Sequence, residues 1–302
     1  MRSGRRVSAA LRHAGLEVDL LDADAHLLPA LAQRPCDAVF VALHGASGED
    51  GSLRSVLELA GIPYVGSSST ASRLAWDKPA AKALVATAGI ATPEWVALPH
   101  STYRELGAGA VLDLVLSRLG LPLMLKPAQG GSALGAVKVG TLQELPEAMI
   151  SAFAYADTVL IEQFINGAEL AISVIDGPDG TTALPAVEIV AQSGVFDYAA
   201  RYTPGMTEYF TPARLDDRTA ARAAEAALTV HRTLGLAGLS RTDAIVADSG
   251  AVYFLEVNVS PGMTDTSMLP MSVAAAGLDL GTVLADLLRA AAVPRDIVRT
   301  QD

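Results

Sequence analysis

The chain is poor in several things, and each shortage narrows what it can do. It holds one cysteine, Cys36, in 302 residues. That excludes an internal disulfide and a cysteine metal cluster, and makes the reducing cytoplasm the expected location. Basic residues number 22 against 33 acidic ones, giving a net charge of −11. A general nucleic-acid binder needs a basic face, so nucleic acid is not an expected partner, although a few local lysines can still hold a small anion. No apolar run approaches the ~18 residues of a membrane span, so no membrane is expected either. The opening "MRSGRRVSAALRHAG" lacks the unbroken apolar stretch of a signal peptide, because Arg12 and His13 interrupt it. Aromatic residues make up only 5%, and no internal repeat is visible. What is abundant is apolar: 51% of residues, with alanine prominent. A chain of this length and composition is globular, with two or three domains.

The first third alternates between helical and extended patterns, which points to α/β organisation. "RSGRRVSAALRHAG" has helical spacing and a glycine stop at Gly15, "LEVDLLD" reads as a short strand, and "DAVFVALHG" as a buried strand of a parallel sheet. "GEDGSLRSVLELAG" reads as one helix with acids at its start and Gly61 at its end, and "PYVGSS" as another short strand. From Trp76 the pattern changes. A helix in "WDKPAAKALVATAG" precedes the extended "IATPEWVAL"; "LPLMLKPAQGGSALGAVKV" reads strand, glycine-rich loop, strand; "TVLIEQFINGAELAISVID" reads strand, turn at Asn166-Gly167, strand; "LPAVEIV" reads as a further strand. Residues 192–212 have no clean period, and a loop of that length in a compact domain is usually functional. A helix over 218–234, a hairpin over 239–259 and a C-terminal helix near 278–292 complete the reading.

The hairpin carries the first candidate chemistry. With Ser249-Gly250 as a two-residue turn, Asp243 faces Glu256 and Arg241 faces Asn258. The strand period places these four on one face, leaving Ala244, Val246, Leu255 and Val257 for the core. Facing carboxylates repel unless a cation lies between them, and Asp, Glu and Asn oxygens suit hard divalent ions. Two such ions would suit phosphoryl transfer. The plainer alternative is a solvated face on which Arg241 neutralises an acid. A slip of one residue would also separate the set.

Two further segments stand out. "LKPAQGGSALG" follows a strand, and its glycines 130, 131 and 135 let backbone amides approach a phosphate, with Lys126 adding a point charge. It is neither a P-loop nor a dinucleotide-binding turn, and a simple glycine-rich hairpin fits it equally. In "LHGASGEDG", His44 ends a strand where α/β sheets bind ligands, and Glu49 begins a helix. Helix capping and a satisfied histidine account for that segment equally well.

Taken together, "HGASGEDG", "GIPYVGS", Asp77-Lys78, "KPAQGGSALG", "IEQFINGAEL", "YAARYTPGMTEYFTPA", "RTDAIV" and "LEVNVSPGMTDTSM" resemble the D-alanine–D-alanine ligase family in order and spacing, from His44 to Met268. The resemblance implies an ATP-grasp fold: an N-terminal parallel-sheet α/β domain (1–77), then a central (78–166) and a C-terminal (167–302) subdomain, of α+β character, sandwiching ATP. Lys78, Lys126, Gly131, Glu162, Glu169 and Arg201 would bind the nucleotide. Asp243, Glu256 and Asn258 would hold two magnesium ions, with manganese as an alternative. Arg241 and the Gly262 amide would hold an oxyanion. Ser132 and Tyr202 would close the 192–212 lid, and His44 would join them in the reaction centre. Glu49, Ser267 and Met268 would contact the amino acids. The implied activity joins two D-alanines through an acyl phosphate, for peptidoglycan precursors. Tyrosine at position 202 favours D-alanine over D-lactate as second substrate. A D-serine- or D-lactate-using ligase, and a nucleotide-binding homologue without product, are the competing readings. Members of the family often form dimers.

The chain also departs from the family pattern. The family's first strand, and a turn bearing a glutamate for the first D-alanine, have no counterpart before "MRSGRRVSAALRHAG". The expectation is a start assigned too far downstream, or a shortened chain in which the neighbouring strands lose ladder partners. Arg201 stands in place of a lysine, keeping the charge but changing its shape. Ala133 stands in place of a second serine.

Overall fold

Arg2–His13 forms helix α1, which ends before Gly15 at φ +86°. The structure is a computed structural model and describes residues 2–293. Val7 and Leu11, four residues apart, form the buried stripe of α1. They pack with Val18, Phe40 and Ala42 and with the last helix of the chain. The expected strands beside α1 do not form a sheet. Residues 16–22 have no ladder bonds, and residues 38–44 make a single parallel bridge, from Val39 to Tyr64. Among the described residues, the expected N-terminal parallel sheet is reduced to that bridge. Isolated extended segments gain too few ladder bonds to hold a regular sheet. Their apolar side chains pack instead on α1 and on a small core around Leu31, Val41 and Leu57.

Helix α2 spans Leu27–Gln33. The acidic-start helix is two pieces, α3 (Ala46–Glu49) and α4 (Ser52–Leu59). Gly51 breaks it at φ +82°, and a Cβ there would lie 2.3 Å from the Ser69 carbonyl oxygen. Only glycine fits that approach. Helix α5 (Ser69–Trp76) is capped by Ser68, and α6 (Lys78–Thr87) by Asp77, with Pro79 in its first turn.

The middle of the chain builds β1 (Trp95–Pro99), α7 (His100–Leu106), α8 (Ala108–Leu119), β2 (Leu123–Pro127), β3 (Val137–Val139), α9 (Leu145–Phe153) and β4 (Thr158–Gln163). The strands form an antiparallel sheet ordered β1-β4-β2-β3. Leu123, Leu125, Val159 and Ile161 face α8 and α9 across a core that includes Val115 and Ala152. Each fully buried aliphatic side chain there contributes ~1.5–3 kcal/mol.

After residues 164–167 the chain enters a second sheet. It comprises β5 (Ala168–Gly177), β6 (Gly180–Ala183), β7 (Val187–Ala191), then α10 (Tyr198–Tyr202), β8 (Thr207–Phe210), α11 (Asp217–Thr233), β9 (Leu239–Val246) and β10 (Val252–Asn258). Its order is β10-β9-β5-β7-β8, with β6 on the free part of β5. Helices α12 (Met268–Ala275) and α13 (Leu280–Ala292) follow, and α13 returns to pack on α1. The irregular stretch 192–212 is ordered, because α10 and β8 lie within it and β8 pairs with β7. Among the described residues no single helix is long and apolar enough to cross a membrane.

The hairpin reaches the expected pairing by an unexpected route. Its turn is one residue longer: Val246 faces Val252, and Ala247 donates to the Ala251 carbonyl across a loop with Gly250 at φ +76°. That shifts the register by one, so Phe254 faces Ala244. A bulge at Leu255 shifts it back, so Glu256 faces Asp243 and Asn258 faces Arg241. The bulge corrects the face assignment too. Phe254 and Val257 enter the core, while Leu255, expected there, lines a cavity beside Glu256.

Candidate active site

Two adjoining cavities lie along the site face of the second sheet. The larger, about 430 Å³, opens between the sheets, with Lys126 and Glu162 from one and Glu169, Asp243 and Glu256 from the other. The smaller, about 240 Å³, lies between the loop after β10, α10 and the His44–Glu49 segment. Lys78, Gly131, Arg201 and Glu256 border both. The remaining expected residues, His44, Glu49, Ser132, Tyr202, Arg241, Asn258, Gly262, Ser267 and Met268, border the smaller cavity. The fold therefore brings the whole expected set together.

The larger cavity is floored by a cation network. Lys78 starts α6, where the backbone is pinned to the glycine-rich loop: its N–H donates to the Ala128 carbonyl, and Gln129 donates 3.0 Å to the Asp77 carboxylate. Its Nζ donates 2.7 Å to the Gly130 carbonyl and lies 3.4 Å from Glu256. Glu162 on β4 touches Lys126 with one oxygen and lies 2.8 Å from Lys82 Nζ with the other. Burial pushes Glu162 up, but Lys126 and Lys82 outweigh it and hold its carboxyl below the usual range. Among the described residues Glu169 has no such partner. Burial raises it to about 7, against the pull of Arg201. Ser132 and Ala133 both sit in left-handed backbone, at φ 60° and 55°. Left-handed backbone at two successive non-glycine residues is strained, and such strain gathers at ligand clamps.

The smaller cavity is tied together by the loop after β10. Arg241 grips Asp243 with two bonds, 2.6 and 2.8 Å. Arg241 thus neutralises an acid as the plainer sequence reading has it, but on a buried face and not a solvated one. The Asn258 side-chain oxygen accepts from the Ser260 amide at 2.7 Å. Ser260 in turn donates to the Leu43 carbonyl. His44 is held at both ends. Its Nδ1 faces the Ser260 carbonyl at 2.9 Å, and its Nε2 faces the Ser3 hydroxyl at 2.7 Å. A carbonyl only accepts, so Nδ1 carries the proton and donates. Glu49 accepts 2.7 Å from the Gly45 amide; burial nonetheless raises its carboxyl to about 7. A Cβ on Gly262 would stand 2.6 Å from the Ser267 hydroxyl, so that backbone and side chain are in close register. The Ser267 hydroxyl pairs with Thr264 at 2.8 Å, and the Met268 side chain is buried with Ile189 and Phe196. Across the opening, Ser132 Oγ and Tyr202 OH are 2.8 Å apart, joining the glycine-rich loop to α10. The guanidinium of Arg201 stacks 4.1 Å over Phe196.

Sequence reasoning missed Lys82, Ser3, Ser260 and Leu255. Lys82 was within reach of it, lying one helical turn after Lys78 on the same face of α6. Ser3 and Ser260 meet His44 across 41 and 216 residues of chain.

Two antiparallel sheets enclosing a cavity floored by lysines and edged by a strained glycine-rich loop make this an ATP-grasp enzyme. Comparison with known proteins narrows the class. Models of the D-ala D-ala ligase N-terminus and C-terminus match residues 3–67 and 84–289. The D-alanine--D-alanine ligase of Anaeromyxobacter sp. (strain K) is 40% identical over 97% of this chain and 92% of its own. That of Nitrosomonas europaea is 41% identical over 95% and 90%. Among solved structures, D-alanine--D-alanine ligase from Bacillus anthracis superposes with a TM-score of 0.78 at 31% identity, over 96% of this chain and 91% of that one. VanG D-Ala:D-Ser ligase from Enterococcus faecalis gives 0.74 at 38% identity, over 84% and 72%. The chain belongs to the D-alanine–D-alanine ligase family, whose members are ATP-dependent ligases.

Proposed function

We propose that this protein joins two D-alanines to D-alanyl-D-alanine at the expense of ATP, in the cytoplasm, for peptidoglycan precursors. The carrying observation is that the two cavities adjoin and share Lys78, Gly131, Arg201 and Glu256 as lining residues. One cavity suits a nucleotide and the other two small amino acids. Where they meet, a carboxylate oxygen attacks the γ-phosphorus, giving an acyl phosphate and ADP. The amine of the second amino acid then attacks the acyl carbon, and phosphate leaves with the C–O bond electrons. Lys78, Lys126, Arg201 and the amides around Gly131 spread and balance phosphate charge. Arg241 and the Gly262 amide face the acyl carbon's developing oxyanion. Ser267 receives the second carboxylate, beside Met268, and Glu49 an ammonium, with His44 orienting the cavity wall. Ser132 and Tyr202 latch the 192–212 lid, excluding the water that would hydrolyse an acyl phosphate.

Asp243, Glu256 and Asn258 fit divalent magnesium. They offer hard oxygen donors from the paired strands β9 and β10, and nearby Lys78, Lys126 and Arg201 overcome the effect of burial and keep Glu256 ionised. Bound magnesium would neutralise phosphate oxygens. In Asp243 both oxygens are engaged by Arg241, so metal binding requires that grip to loosen.

The test is phosphate release by the purified chain with ATP, magnesium and D-alanine, with the dipeptide quantified by chromatography. D-alanine-dependent release with one dipeptide per phosphate is expected. Release that needs D-serine or D-lactate as second substrate would move the assignment to those ligases. ATP binding without release would leave a nucleotide-binding protein. Light scattering reads whether the chain forms the homodimer common in the family.

A further inference from the structure

Lys82 is among the largest fully buried side chains of the described residues; burial draws its ammonium below the usual lysine range, against the pull of Glu162. It lies on α6, one turn beyond Lys78, with its Nζ 2.8 Å from Glu162 and 3.2 Å from the Phe254 carbonyl, to which it donates. Neither lysine nor glutamate can satisfy its charge with water there, because Lys82 is 0% and Glu162 1% exposed. A buried charge of this kind is tolerated only when its neighbours balance it.

The balance has a consequence for the cavity. Glu162 carries one negative charge and touches two ammonium groups, Lys82 and Lys126. Lys126 borders the larger cavity, whereas Lys82 does not. With both lysines present the trio carries one net positive charge, and the only member of positive sign that reaches the cavity is Lys126. Without Lys82, Glu162 would cancel Lys126 outright. Lys82 also ties α6 to β10 at the residue just before the bulge, the segment that carries Glu256.

We propose that Lys82 is a positioning residue for the nucleotide: it balances Glu162 from behind, so that Lys126 keeps its charge for the phosphates of ATP. Lys82 touches no substrate. Its contribution to phosphate binding is exerted through Glu162 and Lys126. This rests on the ligase reading only for the identity of the nucleotide, since the charge relation concerns ATP binding and not dipeptide formation.

The test is a cycle of four proteins: wild type, Lys82→Met, Glu162→Gln and the double variant. ATP affinity is measured by calorimetry with magnesium and without amino acid, alongside KM for ATP and for D-alanine. The Lys82→Met change alone should weaken ATP binding about ten-fold or more, and leave KM for D-alanine within about two-fold. Glu162 lines the same cavity, so the effect of losing it is read separately from Glu162→Gln. With that glutamate neutral Lys82 has nothing to balance, so adding Lys82→Met to Glu162→Gln should change ATP affinity by no more than about two-fold. A Lys82→Met protein that binds ATP like wild type overturns the proposal. So does a further loss of about ten-fold when Lys82→Met is added to Glu162→Gln, or equal losses for ATP and D-alanine, which mark a merely structural lysine. If Lys82→Met does not fold, the Glu162→Gln protein and the double variant still decide: affinities within about two-fold of each other support the proposal, and a gap of about ten-fold overturns it. Normal ATP affinities with no D-alanine-dependent turnover in wild type would remove the ligase reading and leave this inference standing.

Discussion

Replacing Glu49 by glutamine removes a charge that the folded protein holds at a cost. Glu49 is 6% exposed, on the last turn of α3, and accepts one bond from the Gly45 amide. Burial raises its carboxyl from 4.5 to about 7, in spite of the Gly45 amide and the attraction of Arg241 and Lys78. The folded chain thus binds this proton more tightly than the unfolded chain. Folding takes up a proton between pH 4.5 and 7, so stability falls as pH rises through that window and levels off above it. At ~1.4 kcal/mol per pH unit the loss is about 3 kcal/mol. Glutamine has the same shape, keeps an oxygen for Gly45 and does not titrate. Glu49→Gln should therefore match wild type near pH 4.5 and exceed it by about 3 kcal/mol at pH 8.5. Glu169, also raised to about 7, is present in both proteins and drops out of the difference. The assay is urea unfolding followed by tryptophan fluorescence, with EDTA and without nucleotide, at several pH values. A difference that stays flat with pH, or a wild type more stable at pH 8.5, refutes the reasoning.

Two more outcomes follow from the geometry. Gly167→Ala would set a Cβ 2.1 Å from the Val246 carbonyl oxygen at φ +156°; neither backbone can yield cheaply, so a loss above about 3 kcal/mol is expected, and a melting temperature within about 2 °C of wild type would contradict it. Tyr202→Phe deletes the 2.8 Å bond to Ser132 without touching the core. The lid latch should weaken by ~0.5–1.5 kcal/mol, lowering the dipeptide formed per phosphate released by roughly two- to ten-fold with unfolding unchanged. An unaltered ratio would show that the latch does not guard the intermediate.

The hairpin shows how far a sequence carries and where it fails. Pairing Asp243 with Glu256 was legible because short turns and alternating apolar residues restrict the register. The result held only because a longer turn and a bulge at Leu255 offset each other. Neither leaves a strong local signature, and the cavity position of Leu255 was therefore read wrongly. In the N-terminal region, "LEVDLLD" and "DAVFVALHG" have strand patterns but form no ladder among the described residues. A strand pattern states a preference, and a strand needs a neighbour that only the tertiary arrangement can supply.

The candidate site divides along the same line. The glycine-rich loop, the hairpin acids and the lid tyrosines are local motifs, each set by what a few consecutive residues can do with backbone angles and spacing. The sequence by itself therefore brought out the candidate groups that local motifs carry, but not Lys82, Ser3, Ser260 or the cavity position of Leu255. Their ionisation and pairing were decided by distance through the fold. Lys82 meets Glu162 across 80 residues, and His44 meets Ser260 across 216. Arg241 turns to Asp243 within its own strand. Lys126 and Lys82 keep Glu162 an anion against its burial, whereas burial leaves Glu49 and Glu169 titrating near neutrality. A carboxylate's charge depends on the water it loses and the cations it meets, and both are properties of the closed tertiary structure.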